Sequence, residues 1–150
     1  MRALIQRVSR ASVSIDGKIK SKIANGLLVL LGIEDADDSS DIAWLCTKIS
    51  AMRVFNDEDD KMNLSLIDTK GSILIVSQFT LHASTKKGNR PSYIKAARPE
   101  KAIPLYEAFL AHMKTKIDTN VASGEFGAMM EVELINDGPV TIMLDSKRKE

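Results

Sequence analysis

Cysteine occurs once in the chain, at Cys46, and histidine twice, at His82 and His112. One cysteine cannot close an intramolecular disulfide, and so small a supply of thiol and imidazole leaves no Cys-rich metal site. Neither Cys-x-x-Cys nor His-Glu-x-x-His spacing occurs. Long apolar runs are also missing. The longest, residues 27–31, is far too short to span a bilayer. The first ten residues carry charges throughout and contain no long apolar stretch, so a secretory signal is not expected. A reducing, cytoplasmic setting is the expectation. No Gly-x-Ser-x-Gly elbow, phosphate-cradling loop or Gly-x-Gly-x-x-Gly turn is present. A Ser-His-Asp triad would have to recruit His82 or His112, and neither has a fitting context.

What is present describes one ordinary domain. The chain has 150 residues, 44% apolar and 27% charged, with net charge +1. A chain of this length buries about two-thirds of its unfolded surface and needs no staple. We expect a single domain over residues 1–150. The near-neutral total conceals an uneven layout. Glu34, Asp35, Asp37, Asp38 and Asp41 form one acidic cluster, and Asp57, Glu58, Asp59 and Asp60 another. Lys86, Lys87, Arg90, Lys95, Arg98 and Lys101 are opposed only by Glu100. Such a run reads either as a solvated loop or as a basic surface.

The first third of the chain reads as strand. Residues 2–9 mix apolar and polar positions, and Val13 and Ile15 alternate with serines up to an Asp16-Gly17 hairpin turn. Residues 19–24 return, Asn25-Gly26 turns again, and residues 27–33 suit a strand buried on both faces. Asp38, Ser39 or Ser40 caps a helix whose stripe is Ile42, Leu45, Cys46, Ile49 and Met52. Cys46 on that stripe reads as a packed thiol. Residues 56–63 read as a loop, and residues 64–67 and 72–79 as a strand pair. Residues 80–98 form a long polar loop, a kind of segment usually functional or disordered. Pro99 opens a second helix, on which His112 reads as structural. Residues 132–135 and 140–144 are closing strands around Asn136-Asp137-Gly138-Pro139, and the charged tail 146–150 is expected to fray. The predicted class is therefore α/β, a mixed sheet in two strand layers with two helices packed on one side.

Two segments could carry chemistry. In Ser77-Gln78-Phe79-Thr80-Leu81 a buried strand runs into the long loop. Main-chain amides there, with the Ser77 and Gln78 side chains, could line an oxyanion hole. By spacing alone the segment reads first as a strand end with polar decoration. Asn136-Asp137-Gly138-Pro139-Val140-Thr141 is turn chemistry first, and the isomer of its Gly-Pro bond is not written in the sequence.

Taken together these segments resemble the D-aminoacyl-tRNA deacylase family. The likeness begins at Met1-Arg-Ala-Leu-Ile-Gln-Arg-Val-Ser-Arg-Ala-Ser-Val. It continues through Gly26-Leu-Leu-Val-Leu-Leu-Gly-Ile, Ser77-Gln-Phe-Thr-Leu, Lys87-Gly-Asn-Arg-Pro-Ser, Gly124-Glu-Phe-Gly-Ala and Asn136-Asp-Gly-Pro-Val-Thr. It runs in order over essentially the whole chain. The resemblance implies a homodimeric hydrolase that cleaves the ester between a D-amino acid, or misattached glycine, and the 3′-terminal adenosine of tRNA. It implies no cofactor and no metal. Gly138 and Pro139 match a cis dipeptide inserted into the partner's pocket, where main-chain carbonyls reject L side chains. Ser77, Gln78, Phe79 and Thr80 match the ester-binding motif. Phe126 and Met130 match pocket walls, Arg7 a brace for the Gly-Pro loop, and Asn136 and Thr141 its flanks. Water attack assisted by the tRNA 2′-OH is implied, since no base within the motif can activate Thr80.

On this reading Lys86, Lys87 and Arg90 pair with acceptor-end phosphates, and Tyr93 offers a stacking face. Three positions depart from the family pattern: His82, Met129 and Arg98. His82 is considered as a rim contact to substrate. Two other functions stay open: a tRNA acceptor-end binding module without turnover, and a related editing deacylase for a misattached L-amino acid.

Overall fold

The computed structural model describes residues 1–149, and its architecture follows from alternation of burial along the strands. In β3 (Gly26–Gly32) and β6 (Ser72–Ser77) nearly every residue is buried. Leu27, Val29, Leu31, Ile73 and Ile75 face one hydrophobic cluster, while Leu28, Leu74 and Val76 face another. The two strands pair in parallel, from Gly26 opposite Ser72 to Leu31 opposite Ser77. Both faces are covered, as parallel pairing requires. Gly26 is fixed by crowding: an added Cβ would lie 1.8 Å from the Ser72 carbonyl oxygen.

β1 (Arg2–Ile15) is one long strand through the exposed Ser9 and Arg10, where two strand segments were expected. Along one flank it pairs antiparallel with β3 and then β2 (Lys18–Ile23), and along the other with β8 (Glu131–Asp145). β7 (Val121–Ser123), not foreseen from the sequence, adds a parallel strand beside β6. The result is one mixed six-stranded sheet. The Asp16-Gly17 turn forms as expected, both residues having positive φ (50° and 74°).

On one face lie α1 (Ser39–Ala51) and α3 (Pro99–Lys114). Asp38 and Asp41 cap α1 reciprocally, and Ile42, Leu45, Cys46 and Ile49 bury its stripe. Phe109 and Met113 of α3 are fully buried against them. Each such side chain contributes about 1.5–3 kcal/mol by burial. Cys46 sits inside this contact, and burial pushes its thiol up to about 12, so it is packed and unreactive as read from its stripe. The other cluster is built from strand residues alone, including Val8, Ala11, Val13, Ile23 and Ala122.

Two local expectations are overturned. The stretch 64–67 is not a strand. β5 (Met62–Leu64) ends there and a third helix, α2 (Leu66–Thr69), follows, because Ser65 and Asp68 form a capping box that outweighs the apolar run. The stretch 56–63 is not a plain loop. β4 (Phe55–Asn56) and β5 pair across a turn in which the Asp57 carboxylate accepts amide hydrogens from Asp59 and Lys61. The tail expected to fray is tied back to the rest of the chain through residues 146–149. Ser146 donates its amide to the Met1 carbonyl (2.9 Å), the Met1 ammonium is held by Asp37 and Ser146, and Lys147 reaches Asp41 (2.7 Å). Lys149 lies 5.1 Å over the Trp44 ring. Glu150, part of the same expectation, lies outside the described residues.

Candidate functional site

β6 ends at Ser77, two residues earlier than expected, and the chain enters a 3-10 turn over Phe79–His82. The Gln78 amide donates to the Leu31 carbonyl (2.7 Å), a last sheet-like bond that fixes where the turn begins. The next two amides, of Phe79 and Thr80, meet no acceptor among the described residues, as the opening of a helical turn dictates. Gln78 Nε2 donates to Thr80 Oγ1 at 2.5 Å. That bond occupies a lone pair of the hydroxyl and leaves its proton free. Among the described residues no carboxylate or imidazole bonds Thr80 Oγ1, so nothing converts it to an alkoxide.

A cavity of about 360 Å³ opens beside this turn, lined by Ser77, Gln78, Phe79, Met129, Met130 and Val132. A smaller one of about 80 Å³ lies on the other side, against Phe126, Ala97 and Ala102. Met130 lines the larger cavity and Phe126 the smaller, each together with Ser77, Gln78 and Phe79. Phe126 is backed by Tyr106 (centroids 5.9 Å apart), whose hydroxyl donates to the Ile75 carbonyl. Gly124 is a residue to which the sequence alone assigned no role. Its missing side chain admits Met130, whose Sδ would lie 2.6 Å from an added Cβ. Met129, one of the positions departing from the family pattern, is 88% exposed at the cavity mouth.

The Gly138-Pro139 loop is elsewhere. It lies within β8, and the pairing shows how. Val8 faces Asn136 and Gln6 faces Thr141, so residues 137–140 bulge out opposite Arg7 alone. The Gly138-Pro139 bond is cis, and Gly138 has φ +123°. Asn136 ties the neck, donating to Thr141 Oγ1 (2.8 Å) and accepting the Val140 amide (2.9 Å). Arg7, nearly buried, braces the loop from behind. Its Nε donates to the Asp137 carbonyl (3.1 Å), and Nη1 donates to the Val54 carbonyl (2.7 Å) and Asn56 Oδ1 (3.1 Å). Val54 and Asn56 were not foreseen, because they arrive from the β4 hairpin. Gly138 and Pro139 are exposed, and neither lines either cavity beside Ser77–Phe79.

Lys86, Lys87 and Arg90 are all exposed on a loop whose stem is closed by reciprocal amide–carbonyl bonds between Ser84 and Ser92. Tyr93 meets the 55%-exposed Phe79 edge-on (centroids 5.0 Å apart), joining the basic loop to the turn after β6. His82 is not a rim residue. It is 1% exposed, packed behind the turn with Nε2 unpartnered. Its neighbours in sequence belong to the turn, so its side chain is directed inwards. No cluster of three metal-ligating side chains occurs among the described residues.

Comparison with known proteins agrees with this layout. The family model described as D-Tyr-tRNA(Tyr) deacylase matches residues 4–145. Curated proteins called D-aminoacyl-tRNA deacylase from Bacteroides fragilis (strain YCH46) and Akkermansia muciniphila are each 59% identical over 100% of both chains. A solved structure of the c-Myc DNA Unwinding Element Binding Protein superposes with TM-score 0.91 at 41% identity, covering 97% of this chain and 98% of that one. A probable eukaryotic D-amino acid tRNA deacylase shares the fold (TM-score 0.81, 18% identity, 95% and 97% coverage). A turn with two free amides beside a cavity, a Gly-Pro loop braced by a buried arginine, and this full-length likeness lead to one conclusion: the chain belongs to the D-Tyr-tRNA(Tyr) deacylase family.

Proposed function

We propose that this chain is a D-aminoacyl-tRNA deacylase that hydrolyses the ester between a D-amino acid and the 3′-terminal adenosine of tRNA. The observation that carries the mechanism is the pair of amides, Phe79 and Thr80, that bond no acceptor among the described residues, in a turn entered from Ser77, Gln78 and Phe79 of the cavity lining. Water adds to the ester carbonyl carbon, and the oxyanion that develops accepts both N–H groups. The tRNA 2′-OH helps remove the water proton. The 3′-oxygen of the ribose then leaves with a proton, giving free D-amino acid and tRNA. Thr80 serves as a hydroxyl donor rather than a nucleophile, since among the described residues no base is bonded to it to take its proton.

Gly138-Pro139 supplies chirality from a second copy of the chain. The loop is exposed and lines neither cavity beside Ser77–Phe79, which fits insertion into a partner's pocket. Main-chain carbonyls there would collide with an L side chain and leave a D side chain outside. Glycine has no side chain to collide, so misattached glycine is also cleared. Because backbone does the rejecting, the enzyme is strict about hand and lax about side-chain identity. Lys86, Lys87 and Arg90 pair with acceptor-end phosphates, a contact suited to many tRNAs. The reaction needs no cofactor, and the setting is cytoplasmic.

The test is hydrolysis of D-Tyr-tRNA against L-Tyr-tRNA by the parent and by Gly138→Ala. Rapid loss of the D ester, a stable L ester and a crippled variant are expected. Equal hydrolysis of both esters would overturn the chirality filter, and preferred L-ester hydrolysis would move the chain to an editing role for L-amino acids. The name of the 41%-identical relative, and the exposed basic loop, favour one second reading, nucleic-acid binding without turnover. Binding without hydrolysis of either ester would establish it.

A further inference from the structure

An oxyanion site built from main-chain amides has no side chain of its own to tune. Its aim depends on what holds the turn, and an error of about 1 Å can cost 10²-fold in rate. The entry of the turn is fixed by the bond from the Gln78 amide to the Leu31 carbonyl. The exit is fixed by a side chain from the start of the sequence. Arg2 Nη1 donates to the Leu81 carbonyl at 2.8 Å, while Arg2 Nε donates to Asp145 Oδ2 at 2.9 Å.

Arg2 lies at the start of β1, paired in register with Gly32 of β3 on one flank and Asp145 of β8 on the other. Gly32 in turn is where the turn rests. An added Cβ there would lie 3.0 Å from both Leu81 Cβ and His82 Cδ2, and 3.1 Å from the Gln78 carbonyl oxygen. Burial pushes the Asp145 carboxyl up, but the Arg2 guanidinium and the Lys147 amide outweigh it and hold it below the usual range. The carboxylate is therefore charged at neutral pH and locks the guanidinium plane. A planar fork with two fixed N–H directions can do this, and a lysine ammonium cannot.

We infer that Arg2, oriented by Asp145, is a positioning residue for the reaction: it holds the Leu81 carbonyl and so aims the Phe79 and Thr80 amides. This rests on the deacylase reading for its effect on rate, but not for its effect on the turn.

The experiment uses the full chain with Arg2→Gln, Arg2→Lys and Gly32→Ala. Two readouts are taken: kcat and KM on D-Tyr-tRNA, and hydrogen exchange of the Leu81 and Ala83 amides. Those amides bond the Gln78 and Thr80 carbonyls and so report the turn itself (3.2 and 3.0 Å). Arg2→Gln is expected to lower kcat about tenfold with KM within about twofold, and to speed exchange of both amides about tenfold. Arg2→Lys should recover less than half of the loss. Gly32→Ala, which presses the same turn from behind, should give the same kcat-selective signature should Arg2→Gln fold poorly. Unchanged kcat, a loss confined to KM, full recovery by Arg2→Lys or unaltered exchange would each overturn the inference. Absence of D-ester hydrolysis by the parent would instead sink the deacylase reading, and the exchange measurement would still decide whether Arg2 holds the turn.

Discussion

The turn after β6 and the loop within β8 are each held by an arginine of β1, yet they are built in opposite ways. The turn follows the end of a sheet strand, with a cavity beside it and two amides that bond no acceptor among the described residues. The Gly138-Pro139 loop projects from the sheet, tied at its neck by Asn136 and braced from behind by Arg7, with no share in that cavity. One is a receptacle and the other a protrusion. A chain carrying both, with the protrusion lining neither cavity beside the receptacle, is on the dimer reading proposed above half of two sites. The comparison also separates kinds of fragility. The protrusion depends on local backbone conformation, the receptacle on the exact support of a few amides.

The largest effect should come from the protrusion. Gly138 has φ +123°, and an added Cβ would meet Arg7 Nη2 at 2.9 Å and Val140 Cγ2 at 3.0 Å. Gly138→Ala forces strain of about 1–3 kcal/mol into the loop or moves it. Hydrolysis of D-Tyr-tRNA should fall about 100-fold with thermal stability changed by only a few degrees. A variant with more than half the parent rate would remove the loop from the site.

Arg7→Gln tests the brace. It removes charged bonds to the Asp137 and Val54 carbonyls and leaves the Val54 carbonyl without its partner in a buried place. A stability loss of about 2–4 kcal/mol in urea unfolding is expected, with a drop in rate of about tenfold. Stability lost with full activity retained would mean the loop keeps its shape without the arginine.

In the receptacle, Thr80→Ala should slow hydrolysis about tenfold, and Thr80→Ser should stay within about threefold of the parent. A nucleophile would behave otherwise, its removal costing several orders of magnitude. Single-turnover rates on D-Tyr-tRNA separate the two. On the basic loop, exchanging Lys86, Lys87 and Arg90 for glutamine should raise KM. It should also flatten the dependence of KM on log[salt] by about 0.7 for each phosphate no longer paired. An unchanged slope would leave that loop without a phosphate partner.

The same contrast explains what could be read from the sequence. The receptacle's strand, the helix stripe of Ile42, Leu45, Cys46 and Ile49, and the Asp16-Gly17 turn are local in cause, so periodicity and turn chemistry disclose them. The helix at Leu66–Thr69 is hidden because four apolar-rich residues read as strand, while a Ser65–Asp68 capping box decides the matter. β7 is three residues long and is defined by its neighbour β6 rather than by its own pattern. At the site, Ser77 to Thr80 and Gly138-Pro139 are legible only through likeness to a family, since spacing alone reads both as strand end and turn. Arg7 reaches Val54 and Asn56, and the tail reaches Met1, through contacts far apart in sequence. His82 departs from expectation because a residue beside a motif need not share its exposure, and here the turn directs it inwards.

A final prediction supplies the control that the comparison requires, a perturbation in direct contact with neither loop. At the start of α1, burial pushes the Asp41 carboxyl up, but the Lys147 ammonium, Ser146 and the Asp38 amide outweigh it and bring it down to about 2. A carboxyl held lower in the folded state than in the unfolded chain favours folding above its unfolded value of about 3.9. That contribution disappears as pH falls towards 2, and it amounts to about 2 kcal/mol. Asp41→Asn should therefore be less stable than the parent at pH 5 by about that amount, and the two unfolding curves should converge near pH 2. At neutral pH its rate on D-Tyr-tRNA should stay within about threefold of the parent, because neither loop touches Asp41. Convergence with intact activity would show that stability can be removed from the helix side without disturbing receptacle or protrusion. A rate loss as large as that of Arg7→Gln would mean that both loops answer to global stability, and the contrast between them would dissolve.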